Sequence, residues 1–112
     1  MNATKELMKP VDNARIAMFT GYFNEDHYHT VALASTIAYF LADGSSVFRH
    51  KVADVRSGQD AMNKVYARGD WHVEDTEKVA IDRTMELYRR MIASTPIDRL
   101  RQCLAQSAEH LV

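Results

Sequence analysis

Residues 27–42 read HYHTVALASTIAYFLA, sixteen positions without one Asp, Glu, Lys or Arg in a chain that is 26% charged. Within this run Leu33, Ile37, Phe40 and Leu41 recur at helical intervals. Tyr28, Ala32, Thr36 and Tyr39 make a second uncharged face, and Val31, Ser35, Ala38 and Ala42 a third. A helix with no charged side offers water nothing along its length, so the spacing predicts a buried central helix over about 26–43. Ala32, Ala34, Ser35 and Ala38 are small enough to let neighbouring helices approach. Asn24 or Asp26 is the expected N-cap, and Gly44 suits a left-handed residue after the last turn. A membrane span needs about 20 apolar residues. This run is shorter and carries two His, two Thr and a Ser, so no membrane association is expected.

The remaining 96 or so positions must cover that helix. Four Gly and two Pro in 112 residues favour long elements over many short strands. The expected fold is all-α, a single domain over 1–112 with four to five helices around the central one. Fourteen basic and fifteen acidic side chains leave a net charge of −1, which gives no overall attraction to nucleic acid. One cysteine cannot form an internal disulfide, and MNATKELMKP has no apolar signal segment, so a reducing cytoplasm is the expected location.

Residues 1–9 read as a short turn or a loose arm, closed by Pro10. Asp12 is the expected cap of a helix running to Phe23, with Ile16, Phe19 and Phe23 on one side and Met18 and Tyr22 beside them. An edge strand over 14–23 is the alternative. After Gly44, Ser45 or Ser46 can cap a segment in which Phe48, Val52, Val55, Gln59, Met62 and Tyr66 follow heptad-like spacing. Gly58 costs about 1 kcal/mol against Ala in a helix interior, so 46–68 is either one weakened helix or two. Gly69 and Asp70 close it. Asp75 or Thr76 caps a helix to about Ser94, whose face holds Ala80, Ile81, Thr84, Met85, Leu87, Tyr88, Met91 and Ile92. Opposite lie Asp82, Arg83, Glu86, Arg89 and Arg90, with a Glu86–Arg90 ion pair expected. The last helix starts with Thr95 as N-cap and Pro96 in its first position, and buries Ile97, Leu100, Leu104, Ser107 and Leu111.

Three patterns can carry chemistry or recognition. Glu25, His27 and His29 are metal-ligand types, and on a helix Glu25 and His29 share a face while His27 and His29 diverge. The set is short of the three or four ligands a site needs unless distant side chains join it. Residues 52–69 weakly resemble a helix-turn-helix, with Lys64 and Arg68 as the candidate DNA contacts, though no basic face accompanies them. Arg89, Arg90, Arg99 and Arg101, with Trp71 in the preceding connection, can form a surface for a protein partner, since Trp and Arg dominate binding energy at interfaces. Cys103 reads as a buried apolar position, while Met85 and Met91 suit either a core or an adaptable binding face.

No nucleophile with a base, glycine-rich phosphate loop or full ligand set can be assembled, so no cofactor is expected. The reading is a small interaction or regulatory protein, an adaptor or an inhibitor of a larger protein, acting through a helical surface as a homodimer. The alternatives are a DNA-binding regulator using 52–69, and a helical metal- or ligand-binding protein using 25–29.

Overall fold

The computed structural model describes the backbone of residues 3–110 and the side chains of residues 4–106. It is 83% helix, with no strand among the described residues. The elements are α1 (Ala3–Thr20), α2 (Glu25–Asp43), a single 3-10 turn (Arg49–Lys51), α3 (Val52–Arg68), α4 (Asp75–Ala93) and α5 (Ile97–His110).

The uncharged run forms α2, and α2 touches each of the other four helices. Across residues 30–42 no side chain is exposed. The small-residue face of Val31, Ser35, Ala38 and Ala42 is the most completely buried, where short side chains bring the neighbouring backbones close. The helix begins with a reciprocal cap. Asn24 Oδ1 accepts the His27 N–H at 3.0 Å, and His27 Nδ1 accepts the Asn24 N–H at 3.2 Å. Gly44 follows the last turn with φ −87°, outside the left-handed region expected of it. Its missing side chain serves another purpose, because the Arg99 guanidinium of α5 occupies the space a Cβ would take.

α1 corrects the expectation for the N-terminal region. Residues 3–9 are its first turns, and Asp12 is an interior residue rather than a cap. Pro10 lies within the helix, where it cannot return a hydrogen bond to the Glu6 carbonyl. Both residues are exposed, so the lost bond falls on the solvent side. The helix stops at Thr20 rather than Phe23, because Gly21 takes φ +82° and Tyr22 N–H bonds back to Ala17 O at 2.9 Å. Its buried line is Met8, Val11, Ala14 and Met18, the face opposite Ile16 and Phe19.

α3 is continuous through Ser57 and Gly58 and ends at Gly69, φ +82°. Ser45 Oγ accepts the N–H groups of Val47 and Phe48, so it shapes the turn before the 3-10 segment instead of capping α3. The buried face is Val55, Gly58, Ala61, Met62 and Val65; the expected seam is rotated, and Tyr66 stands outward. α4 buries Ile81, Thr84, Met85, Leu87, Tyr88, Met91 and Ile92 as its spacing predicts. Met85 and Met91 are core residues with no accessible surface, not a binding face. Glu74 precedes α4 as its cap, and its N–H donates to the Glu77 carboxylate at 2.9 Å.

At the last boundary Thr95 does not cap α5. Its hydroxyl donates to the Met91 carbonyl of the helix before, and Pro96 O accepts the first helical bond, from Leu100 N–H at 3.1 Å. α5 rests on α2 through Leu100 and Cys103, while Ile97 and Leu104 remain exposed, so its buried face is also rotated from the expected one. The side chains of Ser107 and Leu111, assigned to that face by spacing, lie outside the described residues.

Candidate interaction surface

α1 and α4 are tied by a ladder of charge. The Arg15 guanidinium donates to Asp82 at 2.7 Å, Glu86 at 3.2 Å and Asp12 at 3.3 Å, and Arg89 donates to Asp12 at 2.9 Å. Burial works against the Arg15 charge, but the Asp82 and Glu86 carboxylates outweigh it and hold the group above the ordinary arginine range. The ladder fixes an antiparallel register: Asp12 meets Arg89, and three residues later Arg15 meets Asp82 and Glu86. Glu86 is thereby committed to Arg15 and Arg89, in place of the expected Arg90.

Beside this ladder stand exposed apolar side chains. Ile16 is 63% exposed, Phe19 54%, Tyr22 77% and, on α4, Val79 55%. The antiparallel register carries Val79, one turn before Asp82, toward the level of Phe19. A groove of about 540 Å³ runs here, lined by Asp12, Arg15, Ile16, Phe19, Thr20 and Asp82. Its apolar residues are rimmed by ion-paired ones, so the rim side chains are held in place before anything docks. The sequence already hints at this surface. α1 carries two apolar stripes, Met8-Val11-Ala14-Met18 and Ile16-Phe19, and a helix on the outside of a small bundle can bury only one.

A second cluster surrounds Trp71. Its ring lies 5.3 Å from Tyr28 and 6.1 Å from Tyr66, with Tyr28 and Tyr66 5.6 Å apart. Burial pushes the Tyr28 phenol above its ordinary range, with a smaller push from Tyr66. Trp71 adopts φ +62°, a left-handed conformation that costs a bulky side chain free energy. The turn is pinned from both sides. Asp70 accepts the His72 N–H at 2.9 Å, while Arg68 donates to the His72 carbonyl and to both Glu77 oxygens, at 2.9 and 2.8 Å. The Arg68 hydrogen bonds hold the Glu77 carboxyl below the usual glutamate range, against the opposing effect of burial. The strain at Trp71 is therefore balanced by hydrogen bonds around it and stacking upon it.

The other candidate residues stand as follows. Arg89 is occupied by Asp12 and Glu86, Arg90 and Arg101 are exposed, and Arg99 lies against Gly44. Lys64 and Arg68 belong to one unbroken helix, so 52–69 contains no helix-turn-helix, and Arg68 is engaged by Glu77. Glu25 and His29 do share a face, 3.4 Å apart, whereas His27 is used as a capping acceptor. Among the described residues no three His, Cys, Asp or Glu side chains converge as a metal site would require. Cys103 is fully buried, and burial pushes its thiol above the ordinary range. No helix of the described residues is long and apolar enough to cross a membrane.

No family model matches the chain, and no curated protein or solved structure matches it.

Proposed function

We propose that this protein is a binding module, a regulator or adaptor without chemistry of its own, that engages another polypeptide through the outward face of α1. The observation that carries this reading is the exposure of Ile16, Phe19 and Tyr22 beside a groove of about 540 Å³. A contiguous apolar patch with a polar rim is how protein contact surfaces differ from ordinary surface. Aromatic residues at the centre of such a patch supply most of the binding energy. Arg15, Asp12 and Asp82 frame the patch and hold α1 against α4, so little ordering cost remains when a partner docks.

The test is photocrosslinking in cells. A benzophenone side chain in place of Phe19 should yield a polypeptide adduct, and the same group in place of Arg90 should not. No adduct from Phe19, or equal adducts from both, would count against this face. Phe19→Asp should abolish the contact while leaving Tm nearly unchanged, because the side chain already faces water.

A further inference from the structure

We infer that the polypeptide on this face is a second copy of the chain, with the two α1 helices packed antiparallel across a twofold axis. The inference rests on the proposed binding role of α1 and names its occupant.

The argument is one of charge along a seam. Lys5, Lys9, Asp12, Ile16 and Phe19 recur at intervals of four, three, four and three, the spacing of a helix-pairing stripe. All are exposed except Asp12, which is half-buried, and the stripe runs opposite the buried line of Val11, Ala14 and Met18. Its N-terminal half is basic, and among the described residues Lys5 and Lys9 pair with no carboxylate. Its C-terminal half is apolar, and the last turn of α1 holds no basic residue to meet the negative end of the helix dipole. Exposed Glu25 and Asp26 follow in the next turn of chain.

A parallel pair would set Lys5 on Lys5, Lys9 on Lys9 and Asp12 on Asp12, which is repulsive at every polar level. An antiparallel pair sets the two apolar halves together and moves the like charges apart. With Ile16 packed on Phe19 of the second copy, Lys9 falls past the end of the other α1, toward the acidic first turn of its α2, which bears the exposed Glu25 and Asp26. The same register brings Tyr22 of each copy to the level of Asn13 of the other, over its groove. An isologous contact of this kind closes on itself, so it ends at two chains.

Light scattering at micromolar concentration tests this. The expected result is a mass of twice 12.8 kDa for the native chain, and of one chain for Phe19→Asp with unchanged helical circular dichroism. Lys9→Glu should weaken the dimer about tenfold through two symmetric pairs, and adding Asp26→Lys should restore most of it. A dimer indifferent to Phe19→Asp, or weakened by Lys9→Glu without recovery, overturns the antiparallel arrangement. A native chain of single mass whose Phe19 crosslinker still captures another protein overturns the second copy but spares the binding face. Single mass with no adduct overturns both.

Discussion

Gly58 of α3 lies so near Thr84 of α4 that a methyl group on its Cα would overlap the threonine hydroxyl. Thr84 is fully buried, and its Oγ1 donates to the Ala80 carbonyl at 3.0 Å. Gly58 is thus a contact point between helices rather than a break within one. Gly58→Ala improves helix propensity by about 1 kcal/mol. Forcing a methyl into a filled contact costs about 1–3 kcal/mol, so the expected net effect is a loss of up to about 2 kcal/mol in urea unfolding. Thr84→Ala in the same chain should recover much of that loss, since it removes the atoms in conflict. A more stable Gly58→Ala protein would contradict the close approach.

The Arg68–Glu77 pair predicts an acid limb. Glu77 has its pKa lowered in the folded state, so the unfolded chain takes up the proton first as pH falls. The stability this pair contributes is present above the ordinary glutamate range and is lost as pH drops through the lower, folded value. Thermal unfolding should show the native protein several degrees more stable than Glu77→Gln at pH 7. The difference should shrink steadily below about pH 4.5, the ordinary glutamate value. A constant difference across that window would mean that the carboxylate charge is not what Arg68 holds.

The backbone at Trp71 separates strain from stacking. Trp71→Ala and Trp71→Gly both delete the ring from Tyr28 and Tyr66, but only glycine adopts φ +62° without penalty. The glycine variant should therefore be the more stable of the two by about 1 kcal/mol in denaturant titrations. Equal stabilities would show that the left-handed turn stores no strain.

The ion ladder should respond to salt. Replacing Arg15 with Met removes contacts to Asp82, Glu86 and Asp12 together, and its side chain is mostly covered. The expected loss is about 1 kcal/mol at low ionic strength, diminished in 1 M salt where the Debye length is about 3 Å. A loss unaffected by salt would assign Arg15 to packing through its aliphatic stem.

The sequence is most informative where one rotation satisfies every residue. In α4 the apolar positions from Ile81 to Ile92 fill one stripe, so that buried face is read from spacing; Glu77 joins it through its pairing with Arg68, and Val79 stands on the outer side. The charge-free stretch marks α2 for the same reason. α1 offers two stripes, and choosing between them depends on the α2 and α4 side chains that face it. Spacing selects Ile16 and Phe19, and the bundle selects Met8, Val11, Ala14 and Met18. The candidate surface is consequently visible in the sequence as residues but not as a direction. Arg89 shows the limit for charges. Its own helix offers Glu86, while its closer partner Asp12 lies 77 positions away on another helix. Gly44 and Thr95 look like ordinary helix-end residues. Their actual contacts, Arg99 and the Met91 carbonyl, depend on packing and backbone geometry that residue preference does not specify.

The central place of α2, in contact with every other helix, bears on how this protein comes apart. No helix can detach without uncovering a segment that has no charge to keep it dissolved. Local opening is then confined to the outer turns, and amides in the middle of α2 exchange with solvent only when the whole chain unfolds. Cleavage of any connecting loop that released one helix would leave a remnant prone to aggregate. Release of any one helix is accordingly equivalent to loss of the whole fold.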